Sequence, residues 1–377
     1  MKIVCDNKIP FIKGVFEPYA EVVYLPGAKT TPDDVRDADA LITRTRTACN
    51  ESLLAGSGVK VIATATIGFD HIDTNWCESN GIIWKSAPGC NSGSVKQYIS
   101  SVLVTLCEKH RLRLEDTVLG VVGVGNVGSK VASAARAMGM KVLLNDPPRA
   151  RREGPDGFVS LDEIVEKCDI ITIHVPLNRT GEDMTLHLFD DVRLAMMRPD
   201  QILINSSRGP VVDNASLKVA LQEKRLLGAV LDVWENEPDL DPELVGLLDL
   251  CTPHIAGYSG DGKANGTMMS VRAVAEVLGL PLTDWKPSDI PSPPQQRQFS
   301  IYAAPLVDQE VITRAVLHTY DVSSDSEALR SDISAFERLR GDYAVRREFQ
   351  AFTVTLIEGT ISQKEALEEL GFKVIEN

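Results

Sequence analysis

Three observations predict an α/β protein built from two doubly wound parallel sheets, followed by a smaller mixed domain. Short β-branched runs alternate with helical stretches from residue 2 to about 257, the pattern of parallel strands joined by crossover helices. The stretch from Val118 to Asp146 reads as strand, tight glycine turn, helix and second strand. A Pro-rich polar run, 286–298, then marks a linker before the tail.

Taken in order, the first block carries the runs KIVC, EVVYL, ALITR, VKVIATAT and GIIW. It has no glycine fingerprint, so residues 1–93 are expected to form the lobe that holds substrate. Helical periodicity from Ser94 to Arg111 leads into a second lobe, 94–257. There VLGVV runs into Gly123-x-Gly125-x-x-Gly128. The first glycine makes the turn, the second lets backbone approach a pyrophosphate, and the third packs helix against strand. The helix start then offers free N–H groups and a positive dipole end.

The next strand, Lys141–Asn145, ends at Asp146, about 18 residues past Gly128. An acid there can accept from both ribose hydroxyls of NAD and repels the extra phosphate of NADP. Together these parts predict a Rossmann nucleotide lobe, although a glycine turn in another α/β protein carries the same letters. Arg149, Arg151 and Arg152 lie close enough to soften the preference against NADP. Further on come a helix at 161–167, a strand at 170–175, a helix near 190–197 and a strand at 201–207. A helix at 214–224 and strands at 228–233 and near 249–252 complete the lobe. A helix over 262–278 returns the chain to the first lobe, which therefore also takes 258–285. The tail, 299–377, mixes helical stretches with short strands.

The chain has 377 residues and a net charge of −14. That length suits two or three domains. The charge argues against a nucleic-acid or anionic-membrane surface, so any anion site must be a local cluster of arginines. Seven cysteines are scattered singly, with no CxxC and no Cys/His cluster. This suits reduced thiols in a cytoplasmic protein without a metal site. The N-terminal apolar run is too short for a signal peptide, and no stretch approaches the ~18 apolar residues of a membrane span.

Substrates of open α/β proteins sit beyond the carboxyl ends of the strands. Three such ends hold reactive groups: Arg208 in NSSRGPVVD, Glu237 in DVWENEP and His254 in CTPHIAGYS. Hydride transfer from a secondary alcohol needs these types. An imidazole takes the hydroxyl proton, a carboxylate fixes the imidazole's tautomer, and a guanidinium holds the acid group by two points. Each alone reads more readily as a strand-end cap, a solvated carboxylate or a surface ion-pair partner. Their shared position downstream of one nucleotide fold favours the chemistry. Arg44 and Arg46 flank Thr45 at another strand end and could hold a phosphate, though alternating residues on a strand point to opposite faces. Arg338, Arg340, Arg346 and Arg347 crowd the tail and read first as a solvated helix face, although a dimer could bring one of them to the partner's phosphate. His174, at a strand end, is placed to line the cofactor pocket.

RGPVVD, DVWENEP, PHIAG and GVGNVG together resemble the NAD-dependent D-2-hydroxyacid dehydrogenases, and TATIGFDHID (64–73) is similar to their substrate loop. The runs DPPR from Asp146, HIAGYSGDGKANGT from His254, and LRGDYAVRREF in the tail point within the family to a phosphorylated substrate. The resemblance covers nearly the whole chain. It implies Arg208, Glu237 and His254 as catalytic residues, with His254 the proton donor or acceptor, and Thr45, Thr66 and Tyr258 as substrate contacts. It implies Asn126, Val127, Asp146, Val175, Ser206, Asp232 and Gly257 as cofactor contacts, with Ser207 beside them. It also implies a flavodoxin-like substrate lobe and a small α+β C-terminal dimerisation domain, hence a homodimer. Thr45 stands where serine is expected and keeps the hydroxyl. Val175 stands where threonine is common, so its contact would be through backbone. The expected reaction is oxidation of the C2 hydroxyl of a phosphorylated 2-hydroxy acid to the 2-oxo acid, with NAD taking the hydride. A relative acting on another acid, such as 3-phosphoglycerate or glycerate, is the nearest alternative. A non-catalytic NAD-sensing protein on the same fold is the other, and it would need no Arg208–Glu237–His254 set.

Overall fold

A computed structural model describes residues 1–376. The chain forms two compact units, Met1–Asn91 with Ser259–Ser292, and Ser92–Tyr258 with the chain from Pro293 onward.

The first unit holds β1 (Lys2–Asp6), β2 (Glu21–Leu25), β3 (Ala40–Thr43), β4 (Val61–Thr64) and β5 (Ile83–Lys85). They lie in the order β2-β1-β3-β4-β5, all parallel, which is the flavodoxin-like arrangement. Successive side chains divide between two cores: Ile3, Cys5 and Ile42 face one, Val4 and Leu41 the other. A parallel sheet covered on both faces needs this apolar continuity. The helix Gly260–Leu278 packs on β4, and Gly266 permits the approach, since a Cβ there would lie 2.5 Å from the Ala65 carbonyl oxygen.

The second unit holds β6 (Val118–Val122), β7 (Lys141–Asn145), β8 (Ile170–Ile173), β9 (Ile202–Asn205), β10 (Gly228–Leu231) and β11 (Leu250–Cys251). Their order is β11-β10-β9-β8-β6-β7, again all parallel. The direction of winding reverses between β6 and β8, so a ligand crevice opens beyond the carboxyl ends of these two strands. The strands β8, β9 and β10 each stop two residues earlier than the apolar runs suggest, and the residues released begin the site loops. Two short helices escape the periodicity reading, Pro147–Glu153 and Pro242–Leu247. Both start on proline, which suits a first helical turn because its missing N–H would have no partner there.

The tail carries β12 (Gln298–Tyr302), β13 (Thr353–Ile357) and β14 (Lys373–Glu376) in sequential order, all parallel. It does not stand apart from the nucleotide body. Helices Asp308–Thr319 and Val322–Ser331 pack on the helix Ser92–His110, and helix Ile361–Leu370 packs on Asn126–Ala137. Val311, Val316, Phe349, Phe352 and Leu367 of the tail join Leu103, Leu119, Val131 and Ile204 in one core. Buried polar groups join across the same seam. Gln97 Nε2 donates to Thr319 Oγ1 (3.1 Å) and the Arg347 carbonyl (2.9 Å), and Ser101 Oγ donates to the Tyr320 carbonyl (2.9 Å). Among the described residues no helix is long and apolar enough to cross a membrane.

Candidate active site

The glycine turn follows β6. At Gly123, with φ 88°, a Cβ would lie 2.6 Å from the His174 carbonyl oxygen, and at Gly128 one would lie 1.9 Å from the Gly123 carbonyl oxygen. Both glycines are therefore dictated by protein packing. Gly125 differs: a Cβ there meets no protein atom within 4 Å. Its backbone faces outward, the geometry a pyrophosphate needs. Gly125 begins the helix Asn126–Ala137 without any side-chain cap, so the first-turn amides at Asn126, Val127 and Gly128 are left to an external anion. The helices after Asp146, Ser160, Asp190, Asp213, Asp241 and Ser259 all have side-chain caps.

Asp146 ends β7 with Oδ2 accepting from the Val124 amide (2.8 Å) and Oδ1 from that of Arg149 (2.9 Å). Its carboxylate is thus held at the glycine turn, as a ribose-binding acid must be. The arginines beside it are committed elsewhere. Arg149 pairs with Glu153 and donates to the Val124 carbonyl, Arg151 pairs with Glu182 and Asp183, and Arg152 pairs with Glu153. Val175 sits against the turn, 2.8 Å from where a Gly123 Cβ would lie. The His174 ring bonds Thr172 Oγ1 (3.0 Å), and loss of hydration pushes its pKa down to about 3, so it is neutral at physiological pH. Ser206 Oγ is buried and has no partner among the described residues, which fits a hydroxyl waiting for cofactor. Ser207 instead bonds Asn205 Oδ1 through both its amide (3.0 Å) and its hydroxyl (2.8 Å).

The reactive pair lies at the ends of β10 and β11. His254 Nδ1 and Glu237 Oε2 are 2.8 Å apart, and Glu237 Oε1 accepts from the Trp234 amide (2.9 Å). Burial alone would push the Glu237 carboxyl up. The His254 bond and charge, the Trp234 amide and the Arg340 charge outweigh it and hold the group below the usual carboxylate range. Arg208 follows β9, with Nη1 donating to the Ser207 carbonyl (2.8 Å) and its own carbonyl accepting from Asn205 Nδ2 (2.9 Å). The next residue, Gly209, packs flush on the strand-end segment that bears Glu237, since a Cβ there would lie 1.9 Å from the Trp234 carbonyl oxygen.

His254 itself has φ 57°, a left-handed conformation that its loop must enforce. Asp232 does so from inside. Its Oδ1 accepts from Thr252 Oγ1 (2.6 Å) and the Ile255 amide (2.7 Å), and its Oδ2 accepts from the Ala256 amide (2.9 Å). The resemblance implies Asp232 as a cofactor contact; in the folded chain its buried carboxylate also anchors the loop that runs from His254 to Gly257. From the other side Arg346, only 4% exposed, donates Nη2 to the Ala256 (2.6 Å) and Ile255 (3.2 Å) carbonyls. Its guanidinium lies over Tyr320, 4.3 Å from the ring centre. Sequence reasoning missed Arg346 here, because nothing local ties a tail arginine to a loop ninety residues earlier.

In the first unit, Arg44, Thr45 and Arg46 follow β3, and Thr66 follows β4. Arg44 is half-buried, while Thr45 and Arg46 are exposed. Thr66 Oγ1 bonds Thr64 Oγ1 (2.7 Å) and the Gly68 carbonyl (2.9 Å). Tyr258, in the second unit, is half-buried and receives a bond from Arg340. His71 holds its loop by bonding Thr43 Oγ1 (3.2 Å), and His110 bonds Asp249. All seven cysteines are buried free thiols. No group of three metal-ligating side chains occurs among the described residues.

An imidazole backed by a carboxylate, on the same parallel sheet as an uncapped dinucleotide loop, is the equipment of a nicotinamide-dependent dehydrogenase of hydroxy acids. Residues 100–256 match the NAD-binding domain of the D-isomer specific 2-hydroxyacid dehydrogenases, and residues 293–371 match a domain family of unknown function, DUF3410. The erythronate-4-phosphate dehydrogenase of Bacteroides fragilis is 49% identical over 94% of this chain and 99% of its own. That of Proteus mirabilis is 40% identical over 99% of each. The crystal structure of D-lactate dehydrogenase from Aquifex aeolicus, complexed with NAD and lactic acid, superposes with a TM-score of 0.60 at 26% identity, covering 74% of this chain and 96% of its own. The chain belongs to the erythronate-4-phosphate dehydrogenase family, within the NAD-dependent D-2-hydroxyacid dehydrogenases.

The two kinds of glycine should respond differently to a methyl group. Gly128→Ala should lower unfolding free energy by about 1–3 kcal/mol through overpacking, whereas Gly125→Ala should leave the melting temperature unchanged and weaken NAD binding; calorimetry of both variants checks this. An unfolded imidazole titrates near 6.5, while folded His174 does so at about 3. The unfolded chain therefore takes up this proton first, and stability should fall as pH drops from 6.5 towards 3. His174→Asn should flatten that part of a melting-temperature profile.

Proposed function

We propose that the protein oxidises the C2 hydroxyl of 4-phospho-D-erythronate to (R)-3-hydroxy-2-oxo-4-phosphooxybutanoate, a step of pyridoxal 5'-phosphate biosynthesis. The observation that carries the chemistry is the 2.8 Å bond between His254 Nδ1 and Glu237. It leaves Nε2 to meet the C2 hydroxyl, and the full-length relatives support the choice of acid. NAD, when bound, supplies the acceptor for the hydride that leaves C2. The residues present would hold it through the first-turn amides at Asn126 and Val127, the carboxylate of Asp146, the backbone at His174 and Val175, and the hydroxyl of Ser206.

His254 Nε2 takes the hydroxyl proton as C2 becomes a carbonyl carbon. Glu237 keeps the other ring nitrogen protonated and balances the imidazolium that forms. Arg208 pairs with the substrate carboxylate and fixes which face of C2 is presented. Thr45 and Thr66 offer hydroxyls at strand ends, and Arg44 and Arg46 offer positive charge. In the reverse direction His254 returns the proton.

The protein is also proposed to be a cytoplasmic homodimer joined through its tail. Tyr302 and Ile375 are 53% and 54% exposed. With Thr355 and Ile357 they share one face of the three-stranded sheet, opposite the face that packs Ile301, Val354 and Leu356 into the core. That half-exposed apolar face suits a second copy.

NADH formation with 4-phospho-D-erythronate tests the reaction, against 3-phosphoglycerate and glycerate as competing acids. No absorbance change in either direction with the first acid would refute the reading. His254→Ala should lose about 10²- to 10⁴-fold in turnover with NAD binding retained, and Arg208→Lys should raise KM and lower kcat together. Ile375→Glu should convert the dimer to monomer in sedimentation analysis; an unchanged mass would exclude this face.

A further inference from the structure

The tail places one arginine beside the reactive pair with two of its donors open. Arg340 lies in the short helix Phe336–Gly341 and is half-buried. Its Nε donates to the Tyr258 hydroxyl (3.1 Å), and its guanidinium carbon is 5.8 Å from the centre of the Tyr258 ring. Tyr258 lies four residues past His254, on the chain leaving the loop that Asp232 and Arg346 hold. Arg340 is also close enough to Glu237 for its charge to help keep that carboxyl ionised.

Other tail arginines have found partners. Arg330 donates to the carbonyls of Val245, Leu248 and Asp249, Arg338 pairs with Asp332, and Arg346, lying over Tyr320, holds the loop after His254 through Nη2 while its Nε and Nη1 are buried without a hydrogen-bond partner among the described residues. Nη1 and Nη2 of Arg340 make no hydrogen bond among the described residues, and no carboxylate there pairs with it. A guanidinium partly withdrawn from water, in a chain of net charge −14, would ordinarily attract an acidic side chain. Here the fork stays open, fixed at its base by Tyr258.

We propose that Arg340 is a specificity-determining residue that binds the phosphate of the substrate. The assignment rests on the substrate named above. That molecule is anionic at both ends, with C2 between a carboxylate at C1 and a phosphate at C4. Arg208 serves the first, and a second planar fork near His254 serves the other. Two terminal NH2 groups match two phosphate oxygens, a geometry that lysine's point charge does not reproduce. The solved D-lactate dehydrogenase, whose bound acid carries no phosphate, is matched over nearly its whole length by about three quarters of this chain. Arg340 belongs to the segment matched by the second family, of unknown function, so the tail acquires a chemical task.

The test compares 4-phospho-D-erythronate with D-erythronate in the full-length enzyme and in Arg340→Gln and Arg340→Lys. The preference, the ratio of kcat/KM for the two acids, should fall about 10- to 100-fold in Arg340→Gln, the range for a lost charged hydrogen bond. Arg340→Lys should recover part of it. Inorganic phosphate should inhibit the wild type competitively and Arg340→Gln more weakly. An unchanged preference in an active Arg340→Gln enzyme would overturn the proposal, and so would an equal loss on both acids, which would make Arg340 a positioning residue for His254. If the wild type fails to oxidise 4-phospho-D-erythronate, the substrate reading falls instead. Titration of phosphate into wild type and Arg340→Gln then still decides whether Arg340 holds the anion.

Discussion

Asp232 fastens the His254 loop, and the site depends on that attachment. A carboxylate buried at the end of β10 is costly, and its pKa is pushed up by that burial despite three donors and the nearby His254 charge. What it secures is the backbone on either side of a histidine in left-handed conformation. Thr252 and the amides of Ile255 and Ala256 converge on its two oxygens. Arg346 then takes the carbonyls that those amides leave facing the other way. Acceptor on one side and donor on the other leave the loop little freedom, so His254 can meet Glu237 at a single distance. Trp234 adds a second tie, its amide on Glu237 and its indole on the Thr252 carbonyl (3.0 Å).

Much of this was legible in the residues. The glycine spacing and Asp146 located the nucleotide crevice, because the packing of Gly123 and Gly128 follows from short-range geometry. The helix expected at 161–167 forms over those same residues, since Ser160 caps its start and Cys168 leaves the helix in extended backbone. The strand runs of the first block all became strands. Arg208, Glu237 and His254 stand out from their places after strands; the structure brings Glu237 and His254 into contact and packs Gly209, the residue after Arg208, on Trp234.

The rest was hidden for a physical reason. Helix Pro147–Glu153 was obscured by its own composition, a pair of prolines and a cluster of arginines that suggested an anion site and instead pair with Glu153, Glu182 and Asp183. Asp232 is a cofactor contact by resemblance, and nothing in its local sequence shows that its oxygens also anchor the loop after His254. Arg346 and Arg340 looked like a solvated helix face because a helical pattern reports spacing and not which distant loop lies opposite. Such partners, ninety residues apart for Arg346 and Ala256, appear only once the chain has closed on itself.

The seam between the helix Ser92–His110 and the tail has a bearing on shortened forms of this chain. A premature stop in the Pro-rich run before β12 would spare every residue of the dehydrogenase signature and still leave a damaged polypeptide. The long helix would turn Leu103 and its apolar neighbours towards water, Gln97 would be left without its acceptors, and the stretch after His254 would lose its outer clasp. Such a fragment belongs to the clients of chaperones and proteases, so sequence signatures alone would overcount working copies among truncated genes.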